Sequence, residues 1–278
     1  MEKQNKLISA VVFLLLCIFS AVFLFPIIIV LINSFKTKFD ISTSPFSIPM
    51  NETFAGVENY FSGITATGFP LAFFWSLFVT VFSVAAILFF TSMTAWYIVR
   101  VKGIINKIFY YLLLFSMIVP FQMVMFTMSK MANILSLDNP LGLVIIYLGF
   151  GAGLSVFMFC GFIKSVPLSI EEAATIDGCS PIQTFFLVVL PLLKPTAITI
   201  AILDTMWIWN DYLLPYLTVG NDYKTIPIAV QYLKGGYGSV DMGAMMAMLV
   251  LSIVPVVLFY LFCQKYIIKG VAAGAVKG

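Results

Sequence analysis

Six long runs of apolar residues set the terms for this chain. They cover roughly Leu7 to Ile32, Leu71 to Val99, Ile108 to Ser129, Leu141 to Ile163, Thr196 to Leu217 and Met242 to Cys263. A hydrocarbon core of roughly 30 Å is crossed by about 20 residues of helix, so each run is long enough to span a bilayer. With 62% hydrophobic and 10% charged residues, and a mean hydropathy of +1.07, the chain also has too little polar surface for a water-soluble domain. The reading is an all-α integral membrane protein with about six transmembrane helices, residues 1–278 forming a single transmembrane domain. The first run exceeds the apolar stretch of about 7–15 residues typical of a signal peptide and has no small-x-small site close behind it, so it is expected as a retained helix.

An even number of spans puts both termini on one side, and charge chooses the side. With the termini inside, Lys3, Lys6, Arg100, Lys102, Lys107, Lys164, Lys194, Lys265, Lys269 and Lys277 are cytoplasmic. Lys36, Lys38, Lys130, Lys224 and Lys234 are then outside, a ratio of about two to one. Lys36 and Lys38 run against the rule. This orientation leaves a polar segment from about Ser34 to Pro70 outside and a patterned one from about Lys164 to Pro195 inside, between spans four and five.

Several function classes fall away. The net charge of +3 is small and forms no basic stripe interleaved with aromatics, which argues against nucleic acid. There is no histidine, and hence none of the commonest metal ligand or neutral-pH acid–base group. Cys17, Cys160, Cys179 and Cys263 lack paired spacing and read as packing residues. No Gly-x-x-x-x-Gly-Lys-Ser/Thr loop is present to cradle a nucleotide phosphate. No catalytic, cofactor-binding or metal-ligating residue is assigned.

The Lys164–Pro195 segment carries the clearest local signals. Ser169 followed by Glu172 reads as a capping box opening a short helix, with Glu171 and Glu172 in its first turn, at the positive end of the helix dipole. Gly178 suits the C′ position that ends it, and Pro181 the first position of a second helix. The expectation is a pair of short helices with Ala173 and Ala174 on the surface, where small side chains admit another protein's backbone. An ordinary structured connector is the plainer alternative.

The ordered residues Glu172-Ala173-Ala174, Asp177-Gly178, Leu190-Pro191 and Pro195 resemble the EAA loop of ABC importer permeases. The stretch Trp209-Asn210-Asp211-Tyr212-Leu213-Leu214-Pro215 and the tail from Gln264 through Lys269-Gly270 to Gly278 resemble the MalG-type second permease subunit of carbohydrate importers. The resemblance implies that Glu171, Glu172, Ala173, Ala174, Asp177, Gly178 and Pro181 form an ATPase-coupling loop. It also implies a companion permease, two ATPase subunits that bind ATP and magnesium, an extracytoplasmic solute-binding protein, a sugar substrate and a bacterial cytoplasmic membrane. The tail would then lie on the ATPase face.

Within span five, Asp204 is costly, roughly 3 kcal/mol at a bilayer centre on insertion scales. Trp207 and Asp211 follow at spacings that share its helix face, with Asn210 beside them. A tryptophan flanked by carboxylates suits a sugar, whose C–H faces are ringed by hydroxyl donors, so these residues form a candidate substrate pathway. The alternative is that Asp204 bonds a neighbouring helix and Trp207 packs. Gly149 and Gly153 form a GxxxG expected to pack helices, and Pro26, Pro120 and Pro255 could kink theirs. A secondary transporter or channel would show ion-coupling carboxylates or matched broken helices, and a membrane enzyme would need a catalytic constellation; the sequence displays neither.

Overall fold

The apolar runs emerge as long helices in the computed structural model, which describes residues 6–233 and 241–275. Lys3, Lys234 and Lys277, and the end of the tail from 276 to 278, lie outside the described residues. Secondary structure among the described residues is helical apart from an isolated antiparallel bridge between Lys36 and Phe54. The chain divides into two compact units, one made of Met1–Pro70 with Ala229–Pro255 and the other of Leu71–Ile228 with Val256–Gly278.

The first unit begins with α1 (Lys6–Asn33), an apolar helix with Pro26 inside it. The polar segment that follows is not a plain loop: it winds α2 (Lys38–Thr43), a single tight turn at Asn51–Thr53, and α3 (Glu58–Thr67). Asn59 ties α3 back to the end of α1 by donating to the carbonyls of Ser34 and Lys36, at 2.9 and 2.8 Å. The two lysines that run against the charge rule are both held by protein. Lys36 is fully buried; its ammonium donates to the Ser44 carbonyl at 2.7 Å and to Ser47 Oγ at 3.2 Å. Burial pulls its pKa below the ordinary lysine value, with Asp40 pushing the other way. Lys38 pairs with Asp241 at 3.1 Å.

In the second unit, α4 (Phe69–Arg100), α5 (Ile104–Ile118), α6 (Phe121–Ile134) and α7 (Pro140–Ile163) lead to the short α8 (Leu168–Ile176). A helical stretch follows, of α9 (Pro181–Gln183), a π-wound section at Thr184–Val189 and α10 (Leu190–Leu192). Then come α11 (Lys194–Asn210) and α12 (Leu213–Thr218), followed by α13 (Ile226–Tyr232) and α14 (Met242–Ala275), of which the residues from Ala229 to Pro255 belong to the first unit. The helix α14 runs past the expected span end at Cys263 into the small-residue tail and carries Pro255 in its interior. The core is built from one face each of α4 and α7, with Ile87, Leu143, Tyr147, Phe159 and Ile163 fully buried.

Among the described residues, four helices are long and apolar enough to cross a membrane, giving up to six spans if each of two bent pairs counts as one. The bent pairs correct the expected spans three and five. Span three is not continuous from Ile108 to Ser129: α5 and α6 meet at 107°. Pro120 lacks the N–H that would continue the helix and holds the preceding Val119 extended, which ends α5 there. Span five does not run to Leu217: α11 stops at Asn210, and the stretch before it, Pro181–Leu192, meets it at 73°.

The GxxxG is half used. A Cβ on Gly153 would lie 2.7 Å from the Leu113 carbonyl oxygen and 2.6 Å from Met117 Cγ, so α5 sits directly on it, whereas a Cβ on Gly149 would meet nothing within 4 Å. Gly153→Ala is therefore expected to destabilise the protein by about 1–3 kcal/mol through overpacking. Gly149→Ala should leave thermal unfolding in detergent unchanged. Equal melting of the two variants would refute this assignment of the α5–α7 contact.

Candidate functional site

The Lys164–Pro195 segment folds as a short exposed helix fastened at one side. The helix α8 starts at Leu168 behind Pro167, with no side-chain cap. The capping box expected from Ser169 and Glu172 is thus absent; Pro167, which cannot donate and pre-sets its own φ, starts the helix two residues earlier. The end is as anticipated: Gly178 takes φ +86°, its N–H bonds the Thr175 carbonyl, and the Cys179 N–H bonds that of Ala174. This is a Schellman turn, which orphans no carbonyl at the helix end and favours glycine at C′. Pro181 opens the next helix behind Ser180, whose side chain accepts from the Gln183 N–H while Gln183 accepts from the Ser180 N–H. That capping box is legible in Ser180-x-x-Gln183, a pattern passed over beside the misplaced one at Ser169.

Burial divides the expected loop residues. Glu172, Ala173, Asp177 and Gly178 are exposed, whereas Ala174 is buried, contrary to the expectation of a surface position. Ala174 lies three residues from Glu171, on the face of α8 that rests on the protein, while Glu172 and Ala173 lie off it. Glu171 is buried too, 7% exposed. Its Oε1 accepts from Arg100 Nη2 at 2.7 Å and Nε at 2.9 Å, and its Oε2 accepts from the Trp96 indole at 2.9 Å. The guanidinium also donates to the Val166 carbonyl at 3.1 Å. Sequence reasoning counted Arg100 only as a topology charge and did not single out Trp96; both lie on the last turns of α4. Glu171 therefore anchors α8 to α4, and Glu172 is exposed beside it.

The second set of candidate residues lies on α11 and just beyond. Asp204 is 3% exposed, and Ser155 of α7 donates to it at 3.4 Å. Trp207, 40% exposed, packs edge-on against the ring of Tyr147, with centroids 5.4 Å apart. The Tyr147 hydroxyl donates to Asp211 at 3.1 Å. Asp211 is the residue at which the chain leaves α11, with φ −74° and ψ 124°. Its other oxygen accepts from the N–H groups of Leu213 and Leu214 at 3.0 and 3.4 Å, so that it ends α11 and starts α12. Asn210 is exposed and donates to the Met206 carbonyl at 2.7 Å. Tyr147, which sequence reasoning missed, joins Trp207 to Asp211; Tyr147 and Ser155, eight residues apart on α7, put both rungs on one face of that helix.

Removing one member of a largely buried ion pair strands the other charge, at a cost of about 3 kcal/mol. Glu171→Ala is expected to lower thermal stability by about that much, and the double variant Glu171→Leu/Arg100→Met by less. A double variant that melts below Glu171→Ala would show that the pair is not what holds α8.

The sequence model described as binding-protein-dependent transport system inner membrane component matches residues 87–273. The chain is 40% identical, over 94% of both chains, to a probable starch degradation products transport system permease protein of Thermoanaerobacterium thermosulfurigenes. It is 34% identical over the full length of both to a multiple sugar-binding transport system permease protein of Streptococcus mutans. It is also 32% identical over 96% of both to a melibiose/raffinose/stachyose import permease protein of Bacillus subtilis. Its fold is similar to that of a chain in the crystal structure of a bacterial ABC transporter involved in the import of the acidic polysaccharide alginate, with TM-score 0.79 and 24% identity over 96% of this chain and 98% of that one.

Proposed function

This chain belongs to the family of binding-protein-dependent transport system inner membrane components and is a multi-pass permease subunit of an ABC importer; we propose that it carries a sugar of oligosaccharide size into a bacterial cytoplasm. The cargo reading is supported by the starch products, multiple sugars and melibiose, raffinose or stachyose in the names of its relatives. On this reading the companion permease, two ATPase subunits and an extracytoplasmic binding protein complete the machine. The end of the molecule that bears α8 faces the cytosol, with both termini. Hydrolysis belongs to the ATPases, and this chain holds no cofactor.

The observation that carries the mechanism is α8 itself, a short helix with an exposed face, fastened to α4 by the Glu171–Arg100 pair. A helix held this way can transmit a push. When the ATPases close around ATP, movement of α8 passes through Glu171 and Arg100 into α4, a helix of 32 residues, rather than being lost in a slack loop. Glu172, Ala173, Asp177 and Gly178 present the docking face. Asp204, Trp207, Asn210 and Asp211, the tryptophan and Asp211 joined by Tyr147, line the pathway for the sugar. The aromatic ring offers a face to C–H groups and the carboxylates accept from hydroxyls.

Glu172→Lys is expected to weaken retention of the ATPase when the chain is purified in mild detergent, while the fold and the companion permease are kept. Recovery of this chain alone, active in proteoliposomes on an ion gradient without ATP, would overturn the importer reading. For the pathway, Asp204→Ala should reduce sugar uptake by about tenfold or more, the scale of a lost hydrogen bond to a charged group. Unchanged uptake by Asp204→Ala and Asp204→Asn variants that assemble normally would remove Asp204 from the pathway.

A further inference from the structure

A cavity of about 360 Å³ opens where α4, α5 and α7 come together, at the end that bears α8. Its charged lining is entirely basic: Lys102 and Lys107 at the α4–α5 turn and Lys164 at the end of α7. Among the described residues none of the three makes an ion pair. Tyr110 and Tyr111 complete the wall, and the Lys164 ammonium stands 5.7 Å from the Tyr110 ring centre. The N-terminus of α5 opens on the same cavity through Gly103, with no side-chain cap on its first N–H groups. Three ammonium groups and a helix N-terminus around one space describe a receptor for a phosphate.

A second groove, of about 400 Å³, is formed farther along α5 and α7 by Leu112, Phe115, Ile146, Gly149 and Phe150, with the first turn of α6. Between the two hollows α5 packs directly on Gly153 of α7, so any connection runs over the outer side of α5. Lys107, Tyr111 and Phe115 are spaced by four on α5, which puts a residue of the basic head, one of its tyrosines and a residue of the apolar trough on one side of that helix. Tyr111, Leu112 and Phe115 stay exposed along it. A free phosphate or nucleotide would use the head and leave the trough empty; an anionic phospholipid uses both.

We propose that the α4–α5–α7 cavity and the trough beyond it bind one anionic phospholipid, its headgroup phosphate held by Lys102, Lys107 and Lys164 and an acyl chain laid over the exposed side of α5 along Tyr111, Leu112 and Phe115 into the trough. The lipid belongs to the leaflet beside α8, the cytoplasmic one on the topology proposed above; the leaflet assignment rests on that reading, and the site does not. A lipid there braces the turn leading out of α4, the helix that carries Arg100.

The test is native mass spectrometry of the full importer titrated with phosphatidylglycerol or phosphatidylcholine. Phosphatidylglycerol should be retained selectively. At about 1 kcal/mol per basic residue, each Lys→Gln change weakens retention about fivefold and the triple Lys102→Gln/Lys107→Gln/Lys164→Gln variant on the order of a hundredfold. Gly149→Phe, which fills the trough and leaves the lysines, should weaken retention as well. Equal retention by the triple variant overturns the proposal. So does competition by inorganic phosphate that removes the lipid from the wild type, which assigns the head to a soluble anion. Loss of the ATPase from the triple variant with lipid unchanged makes the lysines a subunit contact instead. Because bound lipid is counted on this chain whether or not an ATPase is present, failure here is distinct from failure of the importer reading.

Discussion

In hydrocarbon there is no water to satisfy a backbone N–H or C=O, and each unsatisfied group costs several kcal/mol. That constraint decides where this chain can stop being helical. The breaks within its apolar regions come with a chemical remedy. At Pro120 the missing N–H removes the donor that the turn would have stranded. At Asp211 the carboxylate accepts from the N–H groups of Leu213 and Leu214, which the start of α12 would leave open. Before Pro191 the ladder widens to a π turn, the Leu190 N–H reaching back to the Phe185 carbonyl. The irregularities are concentrated around α11 and the loop that precedes it, where a transporter has to move.

The same economy explains why α8 can be both exposed and stiff. A nine-residue helix is marginal alone, so its stability has to come from outside its own hydrogen bonds. It gets a left-handed glycine end from Gly178 and a charge-assisted anchor from Glu171. The anchor is strong because Arg100 presents two N–H groups to one oxygen while Trp96 satisfies the other, leaving neither carboxylate oxygen bare in a half-dry site. Two adjacent glutamates thus take opposite roles, separated by the 100° turn between consecutive residues on a helix.

That division marks where sequence reading ends. Helix content and the Gly178 and Pro181 boundaries were legible because they depend on periodicity and on residues with unusual backbones. Which of Glu171 and Glu172 faces inward was not, because it depends on Arg100, 71 residues away in sequence. Ser169-x-x-Glu172 carried the capping pattern but lost to Pro167, since a proline that fixes its own φ outweighs a hydroxyl cap. Tyr147 carried no signal at all: a tyrosine in an apolar run looks like packing until its hydroxyl is seen to meet Asp211. The breaks at Pro120 and Asp211 were half legible, the residues being visible and the 107° bend being set by tertiary packing.

Charge counting along such a chain treats every lysine alike, and the structure separates them. Lys36 is buried on a carbonyl and a hydroxyl and presents no solvated charge, whereas Lys38 makes a surface pair with Asp241 and stays largely exposed. Lys102, Lys107 and Lys164 have no carboxylate within ion-pair reach among the described residues, so their field is available to an anionic surface and is attenuated only over a Debye length. The apparent violation of the charge rule after α1 is thus a property of folded contacts. An unpaired lysine acts on the lipid, while a paired one acts on the fold. Weighted in this way, Lys36 drops out of one side of the count and Arg100, paired with Glu171, out of the other, and the lysines around the α4–α5–α7 cavity remain.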